Sequence, residues 1–342
     1  NIAYQGTRPV AGHESSLAEW FPELTFESSI VRDPHVSDCI NPMALAIRSA
    51  DKVSTVSPTY AQEIRRPSDP ARGFHGGEGL EVQLENAARA GRLVGILNGC
   101  EYDSNGDRRP RWRRIRALAN EQVTAWLARN PNDESHRLAQ KRLAALPAER
   151  PQNVLVSIGR LVRQKVTLFL EPLADGRSAL EHIAACIGDS GVVILLGSGE
   201  AEFEKRVLEV AARCPQILFL RGYSETLADP LYRAGDLFLM PSSFEPCGIS
   251  QMLAMRAAQP CVVHGVGGLC DTVVDGKTGF VFGGTDPGEQ ASEFVATVDR
   301  ALAMKSGDND RWQTLCIRAA SERFDWQRSA QQTIEELYEP EH

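Results

Sequence analysis

From residue 153 onward the chain alternates short apolar runs with segments of helical spacing. The runs are Val154 to Ile158, Val192 to Leu196, Ile217 to Leu220, Leu237 to Met240 and Cys261 to Val263. Between them, Ala201 to Cys214 and Thr226 to Ala234 repeat apolar positions at the three- and four-residue interval of a helix. A β-α-β-α order predicts a parallel sheet, because parallel neighbours need a crossover, and strands apolar at successive positions must be covered on both faces. The expected architecture is a doubly wound α/β layer with its ligand site outside the carboxyl ends of the strands.

Residues 1–97 read differently. Proline and glycine punctuate them, and only Lys52 to Val56 and Leu93 to Leu97 are strand-like. Two strands are too few for a domain, so this part reads as the remainder of a first α/β domain whose earlier strands precede Asn1. Residues 107–150 are helical in pattern, with six arginines between Arg108 and Arg116. Trp112 is the one aromatic among them, so a solvated helix face is the better reading than a polyanion site. Arg311 to Glu339 is again helical and carries Trp312, Phe324 and Trp326. The predicted division is residues 1–97, residues 98–325 and a last helix at 326–342.

Composition narrows the function classes. A chain of 342 residues exceeds the usual single domain, and 42% hydrophobic with 24% charged residues describes a globular protein. The net charge of -8 gives no global attraction to nucleic acid or an anionic membrane surface, which leaves a small molecule or a neutral polymer as substrate. No apolar run approaches the roughly 18 residues that cross a bilayer. The chain starts at Asn1 instead of a methionine, so a missing leader carries little weight, and cytosol is the default. Eight cysteines lie scattered without a C-x-x-C pair, which favours packed thiols over zinc or disulfides.

Four loops at strand ends carry candidate chemistry. The segment Ser157 to Lys165 offers Arg160 and Lys165, a guanidinium fork and an ammonium that together suit a diphosphate, or else two ordinary surface cations. The segment Pro241 to Ser250 places Glu245 at a strand end before a helical run from Gln251 to Ala257, with Gly248 allowing close backbone approach. A carboxylate there binds sugar hydroxyls or stabilises positive charge at an anomeric carbon, or simply caps the helix. Cys247 has no base placed beside it by the sequence and reads as a packed thiol. In His264 to Asp271, Gly267 and Gly268 suit either an anion-facing loop or a plain turn. Gly197 to Gly199 and Arg221 to Ser224 end two further strands, and Tyr223 either stacks on a nucleobase or seals the sheet edge.

In this order and at these spacings the loops closely resemble the donor-binding half of the bacterial glycogen synthase and plant starch synthase family. The segments Asn1 to Gly6, Ala50 to Tyr60 with Glu63 and Ile64, Glu78 to Leu80 and Ile96 to Gly99 look like signatures of the same family, so the resemblance spans nearly the whole chain. It implies a retaining GT-B glycosyltransferase: a Rossmann-like donor-binding domain, an incomplete second Rossmann-like domain on the acceptor side, and a last helix around Trp326 crossing back to that first domain. It further implies transfer of glucose from ADP-glucose to the non-reducing end of an α-1,4-glucan without metal or cofactor, in the bacterial cytoplasm or a plastid. Arg160 and Lys165 would neutralise the diphosphate and Glu245 would contact the transferred glucose, the three forming the catalytic set. The amides of Gly267, Gly268 and Leu269 would hold the distal phosphate and Tyr223 would flank the base. Cys247, Gly248, Asn98 and Asn1 complete the donor-binding set.

Three departures from the family pattern stand out. The family's amino-terminal lysine and double-glycine loop has no counterpart, and its cleft histidine would fall just before Asn1. The expectation is an inactive chain whose residues 1–97 pack poorly or rearrange; a non-catalytic nucleotide- or glucan-binding fragment is the alternative. Val166 stands where the family has glycine, which would strain the Lys165 loop if that position needs a positive φ. Tyr102 to Asn120 fits the family poorly.

Overall fold

The computed structural model describes residues 2–23, 28–102 and 109–339. The chain divides into two compact units, one of Asn1–Asn98 with Trp326–His342 and the other of Gly99–Asp325.

In the first unit, β1 (Arg8–Pro9) pairs antiparallel with β2 (Cys39–Ile40), and β3 (Val53–Thr55) pairs parallel with β4 (Leu93–Gly95). Three helices follow, Pro42–Ser49, Pro58–Glu63 and Glu81–Arg89. Asn41 and Ser57 cap the first two through their side chains, each followed by proline in the first turn. These elements close around Ile2, Ala44, Ile47, Tyr60, Ile64, Leu80, Leu84 and Ala87. These residues hold a core cluster of their own, but Val53 and Leu93 stay half-buried beside a cavity of about 340 Å³ that Ile2, Tyr60 and Leu84 also line. Ser329 of the helix Trp326–Thr333 donates to the Leu97 carbonyl at 2.6 Å.

The second unit holds a six-stranded parallel sheet of β5 (Asn153–Ile158), β6 (Gly191–Gly197), β7 (Ile217–Arg221), β8 (Leu237–Met240), β9 (Cys261–His264) and β10 (Gly279–Phe282). Its spatial order is β10-β9-β8-β5-β6-β7. Winding therefore runs outward from β5 in one direction and, after the crossover to β8, outward in the other. The reversal lies between β5 and β8, where Leu155 faces Leu237 and Val156 faces Phe238. Adjacent loops diverge at such a point and leave a crevice.

Alternation along each strand divides the core. Leu155, Val193, Leu195, Phe219, Leu239 and Val262 pack on one face, against helices Arg163–Leu170, Ala179–Ile187, Ala201–Arg213 and Pro287–Gly307. Val154, Val156, Ile194, Leu218, Phe238 and Val263 pack on the other, against Trp112–Arg129, Glu134–Ala145, Glu225–Ala234 and Ser250–Arg256. Double coverage explains why the strand sequences show no polar alternation.

Two expectations shift. β10 had no strand reading of its own, since Gly279 opens it and its partner β9 supplies the pairing. The segment ending at Lys165 was read as loop, but Arg163–Leu170 is helical, and Lys165 sits in its first turn. Val166, in the same helix, is buried at 3% exposure among the core side chains and is not among the described residues with positive φ. The anticipated strain is absent because a helix interior accepts a β-branched residue at small cost.

Candidate active site

The loops that leave β5 and β8 face each other across the reversal. Gln164 ties them: its Nε2 donates to the Phe244 carbonyl at 2.7 Å, and its own carbonyl accepts the Ser243 amide at 2.8 Å. This strap carries Lys165 to Glu245, where the ammonium donates to Oε2 of the carboxylate. The carboxylate is nearly enclosed, with 8% of its side chain exposed against 21% for the lysine. Ser242, fully buried, donates its hydroxyl to the same Oε2 at 3.0 Å. An enclosed carboxylate is tolerated only with such partners, since burial removes its water. Arg160 lies exposed on the β5 loop and lines, with Ser157, Lys165, Pro241 and Ser242, one cleft at this point.

Behind the pair stands a second layer. His264, at the end of β9, is buried, stacks on Phe282 with centroids 5.0 Å apart, and bonds through Nδ1 to the Ser242 carbonyl at 2.9 Å. Burial holds its imidazole below the usual histidine range, against a smaller opposing effect of the bond to Ser242. Gln251 is fully buried and donates to the Cys247 and Gly248 carbonyls, both at 3.1 Å, and to the Thr272 hydroxyl at 3.2 Å. Thr272 in turn donates to the Gly268 carbonyl at 2.7 Å. The loops after β8 and β9 are thereby one body.

Glycine is required at two points of this body. Gly248 has φ +76°, and a Cβ at Gly268 would lie 2.5 Å from the Cys247 Cα and carbonyl oxygen. Cys247 is buried, and its backbone is the surface on which Gly268 rests.

The structure therefore brings Arg160, Lys165, Glu245, Cys247, Gly248 and Gly268 together. In the glycine loop the Gly268 amide donates to the Glu245 carbonyl at 3.0 Å and the Leu269 amide to the Val266 carbonyl at 3.1 Å. The close approach of the two loops uses these donors for mutual support. Leu269 points its fully buried side chain into the core, and Gly267 has φ +46°. Tyr223 lies on the same carboxyl edge but two strands from β5, on the loop after β7, 75% exposed with its hydroxyl donating to Glu225 at 3.0 Å. Asn98 follows β4 in the first unit, and Asn1 lies outside the described residues. Ser242, Gln164, His264 and Gln251 received no role from sequence, although three of them fall inside segments singled out there. Their contribution is contact across the sheet, which no local pattern encodes.

Among the described residues no group of three or more metal-ligating side chains clusters, and no helix is long and apolar enough to cross a membrane.

Two family models match successive parts of the chain: the starch synthase catalytic domain over residues 1–86 and the group 1 glycosyl transferases over residues 152–303. The glycogen synthase of Hydrogenovibrio crunogenus is 34% identical over 342 residues, covering 94% of this chain and 65% of that protein. The glycogen synthase of Streptococcus sanguinis is 32% identical over 352 residues, covering 99% and 65%. Among solved structures, the catalytic domain of starch synthase IV from Arabidopsis thaliana, bound to ADP and acarbose, matches at a TM-score of 0.70 with 26% identity, over 98% of this chain and 65% of that one. The chain thus spans just under two thirds of the length of these relatives. The doubly wound sheet, the cation-carboxylate pair at its reversal point and matches of this extent agree: over nearly its whole length the chain is similar to the glycogen and starch synthases.

Proposed function

We propose that the second unit binds the donor of a retaining glucosyl transfer, ADP-glucose, and that the full-length protein passes the glucose to the non-reducing end of an α-1,4-glucan in the cytosol. The observation that carries this reading is the contact of Lys165 with the enclosed Glu245 at the strand-order reversal, with Arg160 lining the same cleft. In the reaction the bond between the anomeric carbon and the phosphate oxygen breaks. A bond from the acceptor hydroxyl oxygen to that carbon forms on the same face, and the proton leaves with the diphosphate. Negative charge grows on the departing phosphate while positive charge grows on the sugar ring. Arg160 and Lys165 stabilise the first and Glu245 the second, and because all are held in place beforehand they favour the transition state over the bound donor.

Donor binding exchanges the partner of Lys165. Its ammonium leaves Glu245 for the diphosphate, and the released carboxylate turns to the glucose hydroxyls. Ser242 keeps one hydrogen bond to Glu245 throughout, which limits the cost of that exchange. Gly267, Gly268 and Leu269 border the distal phosphate, Tyr223 flanks the adenine, and Cys247 and Gly248 shape the sugar end.

Calorimetric titration with ADP and with UDP tests this reading. ADP is expected to bind at least about tenfold tighter than UDP, a difference of about 1.4 kcal/mol, and Lys165→Ala is expected to weaken it by a further factor of about ten to a hundred. Equal affinity for both nucleotides sinks the adenine assignment, and unchanged ADP binding in Lys165→Ala sinks the cradle itself.

A further inference from the structure

A second polar network, remote from the Lys165–Glu245 pair, converges on the loop after β7. Asp133 caps the helix Glu134–Ala145 by accepting the His136 amide at 3.0 Å, and it also accepts the Ser135 hydroxyl. His136, 6% exposed, places Nε2 2.9 Å from the Arg221 carbonyl, so the ring N–H donates to the last peptide of β7. Its ring stacks on Trp126 with centroids 5.2 Å apart. The Arg221 guanidinium returns to the network, 3.2 Å from Asp133 and 3.1 Å from Glu204. Burial pushes the Asp133 carboxyl up, but hydrogen bonds from Ser135 and His136, with the nearby charge, hold it below the usual carboxylate range.

What this arrangement controls is the next residue. Gly222 has φ +147°, and a Cβ there would lie 2.6 Å from the Trp126 ring. The peptide is therefore fixed by its contact with the indole and by the His136 bond, while the Gly222 amide donates to the Gly197 carbonyl at 3.0 Å. Tyr223 follows directly and projects, 75% exposed, from this anchored peptide. A network of five polar side chains, Asp133, Ser135, His136, Arg221 and Glu204, with Asp133 and His136 enclosed, costs desolvation and is poorly explained by stability alone, since an apolar packing of the same helix ends would serve as well.

We propose that Asp133 and His136 are positioning residues that hold the Arg221–Gly222 peptide and so set the affinity for the nucleoside part of the donor, without acting on its diphosphate. This rests on the donor reading given above. They touch no reacting atom; they act through the loop that bears Tyr223.

Titrations of the chain with ADP and with inorganic pyrophosphate separate the possibilities. His136→Phe keeps the stacking on Trp126 but loses the ring N–H, and is expected to weaken ADP about tenfold, as loss of one buried hydrogen bond implies, while pyrophosphate binding stays within about twofold. His136→Gln can restore the donor and is expected to recover most of the ADP affinity. Should His136→Phe misfold, Asp133→Asn serves instead, since asparagine caps a helix as well as aspartate does but removes the charge facing Arg221. Unchanged ADP affinity in the folded variants overturns the proposal, as does an equal loss for ADP and pyrophosphate, which marks a merely structural role. If the unaltered chain binds neither ligand, the donor reading fails and this inference with it. If it binds both and only Lys165→Ala loses them, this inference alone fails.

Discussion

Glu245 carries the chemistry proposed for this site, and its surroundings define what substitution should do. Its carboxylate is held by Lys165 and Ser242 and has little exposure, so it has no freedom to act as a solvated helix-capping acid. In the full-length protein Glu245→Ala is expected to lower glucosyl transfer by more than about a hundredfold, the scale of a lost transition-state partner. ADP affinity should change by less than about threefold, because Arg160 and Lys165, the cations proposed to meet the diphosphate, remain. Steady-state rates together with nucleotide titration check both parts; normal turnover in the variant refutes the role assigned to this carboxylate. The bonding that gives Glu245 this character was only half legible. Glu245 stood out in the sequence because a carboxylate followed an apolar strand, whereas Ser242, three residues earlier, looked like an ordinary loop serine.

At the level of elements, the site is two loops fastened to each other and to a third. Gly268 shows how tight that fastening is, because any side chain there meets the Cys247 backbone and not a movable side chain. Gly268→Ala should therefore displace the loop after β8, lower the stability of the second unit by about 1 to 3 kcal/mol as overpacking does, and impair donor binding through Glu245. Thermal unfolding and ADP titration measure the two effects, and a variant as stable as the parent would contradict the contact. Glycine at 267 and 268 was visible in the sequence but pointed to anion binding by exposed amides. The hydrogen bond from Gly268 to the Glu245 carbonyl adds a use that the sequence did not suggest, close packing of backbone on backbone. Similarly, the helix Arg163–Leu170 escaped recognition because its polar first turn, Arg163 to Lys165, breaks the apolar spacing before the buried half begins.

Across the whole second unit, the carboxyl edge of the sheet carries the site and a buried charge cluster secures another place. Asp236, just before β8, has 5% of its side chain exposed and pairs with Arg109 at 2.7 Å, Arg150 at 2.8 Å and Lys305 at 3.3 Å. It also accepts the Val154 amide at 2.9 Å, so β5, β8 and the helix Pro287–Gly307 meet on one carboxylate. Burial pushes its pKa up, but Arg150, Lys305 and Arg109 more than offset this and hold it below the usual range. A depressed folded pKa means that the unfolded chain binds the proton more readily. The stabilisation is thus present above the unfolded value of about 3.9 and lost as pH falls through the folded value. Asp236→Asn should cost about 3 kcal/mol at neutral pH by leaving three cations without their charge partner, and the gap to the parent should begin to narrow below about pH 4. Urea unfolding at pH 7 and at pH 3.5 tests the sign; a gap that widens on acidification would rule it out.

Sequence alone determined the parallel α/β character of residues 153 onward and the placing of Arg160 and Glu245 in the loops after two strands, because apolar runs fully buried on both faces leave an unambiguous trace and loops follow where runs stop. The strand order, the reversal between β5 and β8, and the meeting of Lys165 with Glu245 were decided only by tertiary structure. Residues 80 positions apart become partners through packing of helices on a twisted sheet, and that energy is spread over many side chains, none of which records it locally.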